Sequence, residues 1–158
     1  MPIVFYGIER RGMILRRELA IFVAGIAVFG LANSRAAQSE EKFKTHLGLV
    51  ALDTAMRATI AGSGSVTATL TGNKLTVSGT FEGLVSPATT AHIHLSRVTG
   101  IRGPAILDLT ASPATSGSIS GTFELTAEQV ESLKTGKFYI QLNSQKAPEG
   151  NLWGWLMH

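Results

Sequence analysis

From Phe43 to the C-terminus, apolar and polar residues alternate with a period of two, and this constrains the fold more than any other feature. In an extended strand successive side chains leave opposite faces, so such alternation describes strands with one face in a core and one in water. Phe43, Thr45, Leu47 and Leu49 alternate with Lys44, His46 and Gly48. Val66, Ala68 and Leu70 run to Gly72-Asn73, a two-residue turn signal, and Leu75, Val77, Gly79 and Phe81 lead away from it, so residues 62–82 read as a hairpin. Further strands are expected at Ala91–Leu95, Ala105–Leu109, Ile119–Glu124, Phe138–Asn143 and Leu152–Met157, the last two joined by the turn-rich segment 144–150. Thr126 with Gln129 three residues on forms a capping-box signal and Gly136 a stop, which predicts one short helix with Val130 and Leu133 facing the body. A single helix of about ten residues cannot supply the crossovers of a parallel sheet. The expected class is therefore all-β: a Greek-key antiparallel β-sandwich with one short helix.

Charge separates the chain into two parts. Its net +3 belongs wholly to residues 1–36, where Arg10, Arg11, Arg16, Arg17 and Arg35 outweigh Glu9 and Glu18; the nine basic residues after them are matched by nine acidic ones. A neutral body has little drive toward a phosphate backbone, so a nucleic-acid partner is not expected. The basic segment runs into an uncharged stretch, Leu19–Ala32, and then Ser34-Arg35-Ala36. Basic, apolar and small-residue regions in that order describe a secretory signal helix, with cleavage expected between Ala36 and Ala37. The apolar stretch falls short of the ~20 residues of a spanning helix. The alternative is an uncleaved anchor, the one expected route to a membrane. Arg16-Arg17 weakly resembles a twin-arginine signal, and Met13 offers a second start. The division is thus 1–36 as leader or anchor and 37–158 as the domain, placed in the periplasm or outside the cell. The chain has no cysteine, which excludes a disulfide scaffold, a thiolate zinc site and a cysteine nucleophile.

His92-Ile93-His94 is the one grouping with evident chemistry. Residues i and i+2 of a strand share a face, so both imidazoles point one way, roughly 7 Å apart at Cβ, while Ile93 enters the core. Two such rings share a copper or zinc ion if a neighbouring strand adds a third donor, for which His46, Asn143 and His158 are the candidates. Alternatively the two rings hydrogen-bond the following loop and hold it. Trp153 and Trp155 also share a face; exposed, they make a platform for a carbohydrate or protein, and otherwise they pack against the first strand or the sheet edge. Ser63, Ser65 and Ser78 lack the context of a nucleophile, and Glu124, Glu128 and Glu131 read as solvated charges.

In order and spacing these pieces resemble the CHRD (chordin-type) domain. The carriers are Gly64–Leu70, Leu75-Thr76-Val77, Phe81–Leu84, Ala91–His94, Gly103-Pro104-Ala105, Leu125–Gln129, Phe138-Tyr139-Ile140 and Pro148–Gly154. The resemblance implies a Greek-key sandwich comparable to copper–zinc superoxide dismutase, whose strand-borne His-x-His holds copper, and an exported, single-domain bacterial type. Asn143 stands where family members often carry a histidine, and Val50-Ala51-Leu52 where they usually carry a proline.

Two functions follow as expectations. The first is a non-enzymatic binding or structural module of the cell envelope, meeting an envelope protein or ligand. The second is a copper- or zinc-binding protein built on His92 and His94. Dismutation itself is not expected from four histidines without a cysteine.

Overall fold

The protein was studied as a computed structural model, which describes residues 38–50 and 54–158. The expected signal helix over 1–36 and the cleavage between Ala36 and Ala37 lie outside those residues.

The expected strands are present, with shifted ends: β1 (Glu40–Leu49), β2 (Ser63–Thr71), β3 (Lys74–Glu82), β4 (Ala88–Leu95), β5 (Ala105–Ala111), β6 (Gly117–Glu124), β7 (Phe138–Ser144) and β8 (Ala147–Trp155). A 3-10 turn, Ala55–Ala58, went without a sequence signal. In the β2–β3 turn Gly72 takes φ +64°, at the position that a type II′ turn reserves for glycine. The helix, α1 (Ala127–Lys134), carries the full capping box between Thr126 and Gln129, and Gly136 follows it at φ +70°. Leu133 is fully buried and Val130 partly so.

The sandwich is corrected to a closed barrel. The strands pair antiparallel in the order β1-β2-β3-β6-β5-β4-β7-β8, and β8 returns to β1. Two strands make the corners. β1 pairs with β2 from Glu40 to Leu47 and with β8 at Gly48 and Leu49. β5 pairs with β4 from Ala105 to Leu109 and with β6 at Thr110 and Ala111. Alternation looks the same in both architectures, because each strand turns one face inward either way. Closure depends on those corner strands, and it removes the unpaired edges that a sandwich leaves. The neighbours β3–β6 and β4–β7 keep Greek-key connectivity.

A second correction concerns β8, which begins at Ala147 and leaves only Gln145 and Lys146 in the turn. Pro148 and Gly150 read as turn residues, yet the ladder from β1 stops at Leu152, so Pro148 withholds no N–H from it. Asn151, fully buried, ties this part of β8 to the chain before β2 by donating to Ala61 O at 2.7 Å.

The inward residues form one apolar cluster that includes Phe43, Leu47, Leu70, Leu75, Phe81, Ile93, Phe138, Ile140 and Leu152. Residues 36–158 form one unit that closes this core by itself, the condition for folding on its own.

Candidate functional site

Strand register assembles the site on the outer face of β5-β4-β7-β8. Asp108, His92, Gln141 and Trp153 lie side by side in one cross-strand row. His94, Tyr139 and Trp155 form the next. The two histidines do share the outer face, with ring centroids 6.1 Å apart and Ile93 buried between them on the inner side.

Tyr139 is the centre of this face. It points outward from the barrel and is nevertheless 1% exposed, because other rings surround it. His94 stacks on it at 4.7 Å and 15°, Trp155 tilts against it at 4.8 Å, and Trp153 meets it edge-on at 5.9 Å. Its hydroxyl donates to Gly103 O and accepts from Gly103 N–H, each at 3.1 Å. The Arg102 guanidinium lies over Trp153 at 5.8 Å and donates to Glu149 O at 3.3 Å. The tryptophans thus pack around Tyr139, with Trp153 also paired to Gly48 of the first strand, and both remain half-buried.

Each imidazole is anchored through Nδ1. His92 contacts the Asp108 carboxylate at 2.9 Å, and His94 contacts Gly103 O at 2.9 Å. Both partners only accept, so Nδ1–H donates in each case, and Nε2 of a neutral ring carries the lone pair. Asp108 is 90% exposed, so this pair orients His92 more than it stabilises the fold. His94 Nε2 is buried and has no hydrogen-bond partner. Burial holds the His94 pKa below its ordinary 6.5, and the nearby His92 and Arg102 push it the same way, against the hydrogen bond to Gly103. The expected tie from the histidines to the following loop is therefore made by His94, whereas His92 reaches across to β5.

A metal would find two rings whose Nδ1 atoms are tied back to oxygen, the arrangement that usually orients ligating histidines. The set stops at two. Among the described residues no three His, Cys, Asp or Glu gather in metal-binding geometry. His46 lines an open groove of about 330 Å³ with Ser63, Ser65, Thr80 and Glu82. His158 tilts against Phe43 at 4.2 Å and lies 3.8 Å from Glu41. Asn143 does lie on the outer face of β7, where its amide is taken by Thr90 and Gln141.

Sequence reasoning missed Tyr139, Gln141 and Arg102 as members of this site. Alternation along β7 places Tyr139 and Gln141 outward, but which residues stand beside them depends on register, and register comes from pairing.

The CHRD domain family model matches residues 50–156, more than half of the chain. The search of curated proteins found no match, and neither did the search of solved structures.

Proposed function

This chain belongs to the CHRD domain family, and we propose that it is an exported, non-enzymatic binding module of the cell envelope that works through the outer face of β4, β7 and β8. One observation carries the reading. Both tryptophans, Tyr139, His92 and His94 share that face, while the outer face of β2, β3 and β6 carries rows of small hydroxyls such as Thr69-Thr76-Thr122. Grouped aromatic rings with an arginine over them are the side chains that supply most binding energy at protein interfaces. Export is supported by the basic-then-apolar order of residues 1–36.

The test is site-directed photocrosslinking in intact cells, with the photoreactive residue at Trp153 in one strain and at Ser78 in another. Adducts that form from position 153 alone, in the envelope fraction, are the expected result. Equal labelling from both positions, or labelling in the cytoplasmic fraction, removes the proposal.

The orphaned His94 Nε2 supports a second reading, copper or zinc binding at His92 and His94, with the remaining donors supplied from outside the chain. Residues 36–158 titrated with Cu(II) or Zn(II) then hold one ion per chain, and His92→Ala/His94→Ala holds none. Equal weak binding by both proteins eliminates this reading.

A further inference from the structure

Between β4 and β5 the chain makes a turn of near-symmetric sequence, Arg97-Val98-Thr99-Gly100-Ile101-Arg102. Ile101 N–H donates to Val98 O at 3.2 Å, and Gly100 takes φ +92°, where a side chain would be strained. The turn is fastened from beneath. Ser96 N–H donates to Lys137 O at 2.9 Å, and the Ser96 hydroxyl to Val98 O at 2.6 Å. Thr99 Oγ1 donates to Gly136 O at 2.8 Å. So fixed, the turn holds Val98 58% and Ile101 60% exposed, the two most exposed large apolar side chains among the described residues. Met157, 48% exposed, lies against Gly136, to which Thr99 is bonded, and so adds to the same apolar rim.

Cations flank these apolar tips. Arg97 and Lys137 line a groove of about 470 Å³ with Leu95, Ser96, Pro104 and Ser132, and Arg102, on the other side of the turn, is turned to Trp153 and Glu149 O. Among the described residues none of these three enters a salt bridge. Glu41, an acidic side chain at this end, is held by Lys134 at 2.6 Å and faces His158 at 3.8 Å. The turn and Lys137 thus place cations beside exposed apolar tips, with Glu128 and Glu131 of α1 also at this end. The pairings Leu95–Phe138, Tyr139–Trp155 and Lys44–Met157 place this corner at the end of the barrel where β1 enters.

We infer that this corner is a contact site for the surface of an anionic lipid bilayer. Val98, Ile101 and Met157 enter the boundary between headgroups and acyl chains, and Arg97 and Lys137 meet lipid phosphates. Trp155, half-buried nearby on β8, suits the same interfacial depth. A bilayer fits better than a protein partner for two reasons. The apolar tips number three and stand beside cations, too few for the packed patch on which a protein interface centres. The chain also enters the barrel here, at the end to which the apolar stretch 19–32 is joined through residues 33–39. The contact is made by the barrel itself and does not require the leader.

The test is cosedimentation of residues 36–158 with vesicles of phosphatidylcholine alone, or of phosphatidylcholine and phosphatidylglycerol in equal parts. At low salt the protein is expected to partition into the anionic vesicles and not the neutral ones. Val98→Ser/Ile101→Ser lowers that partition about tenfold, and Arg97→Gln lowers it about fivefold. These side chains are exposed, so thermal unfolding of each variant stays at the wild-type temperature, which separates lost contact from lost fold. No anionic preference overturns the inference. So does wild-type partition by Val98→Ser/Ile101→Ser, which would leave a charge patch able to meet any acidic protein.

Discussion

Two outer faces of one barrel, built by the same alternation, carry very different residues. On β2-β3-β6 the rows read Ser65-Thr80-Ser118, Thr67-Ser78-Ser120 and Thr69-Thr76-Thr122, and their β3 and β6 members are all exposed. On β4-β7-β8 the rows read His92-Gln141-Trp153 and His94-Tyr139-Trp155, with Tyr139 and Gln141 buried. Solvation and β-propensity account for the first face, since a short hydroxyl suits a strand and water equally well. They do not account for the second, where large rings cover one another outside the core and a buried imidazole nitrogen is left without a partner. A second small core has formed on the outside of the barrel, and Gly103 fastens the β4–β5 loop to it.

The largest effect expected from that contrast is at Tyr139. Tyr139→Ala removes the ring on which His94, Trp153 and Trp155 rest and both bonds to Gly103. Urea unfolding should show a loss of about 3–5 kcal/mol. Ser78→Ala, on the hydroxyl face, should stay within about 0.5 kcal/mol of wild type. Similar losses at both positions would erase the distinction.

Gly103→Ala should come next. An added Cβ would run into Leu95 O and lie 2.9 Å from Ser96 Cα, all backbone, so the loop has to move. A cost of about 1–3 kcal/mol is expected in the same measurement, together with loss of the His94 anchor. An unchanged midpoint would show that the loop is not fastened there.

A pH effect of intermediate size sharpens the contrast further. The folded His94 pKa lies below its ordinary 6.5, so below that pH the unfolded chain takes up a proton that the folded one resists. The stabilising contribution is complete above pH 6.5 and is lost as pH falls toward the folded value. Unfolding free energy measured between pH 7 and pH 5 should therefore decline, with a shallower slope in His94→Gln. Equal slopes in the two proteins would mean that burial does not keep this ring neutral.

The smallest effect is at Arg102. Its guanidinium over Trp153 lies at an exposed site, so Arg102→Gln should cost about 0.5–1 kcal/mol. A cost of several kcal/mol would make that arginine part of the buried set.

Elements carried by local chemistry were legible in the sequence: the β2–β3 hairpin from Gly72-Asn73, α1 from Thr126 and Gln129, and a shared face for His92 and His94 from their spacing. What required pairing was not. Closure rests on Gly48 and Leu49 reaching β8 and on Thr110 and Ala111 reaching β6, contacts between residues far apart in the chain. The start of β8 was hidden because Pro148, Glu149 and Gly150 carry turn chemistry while lying in a strand. Tyr139 was hidden for another reason. By alternation it reads as an outward, solvent-facing residue, and only its register opposite His94 and Trp155 makes it the buried centre of that face.

The most direct measurement is a long-range proton–nitrogen correlation spectrum of the histidine rings of residues 36–158, followed as pH is lowered. Anchored rings predict His94 with a proton on Nδ1 and a bare Nε2 at neutral pH, titrating below 6.5. A His94 protonated on Nε2, or one titrating at or above 6.5, would contradict both the Gly103 anchor and the covered aromatic face built on it.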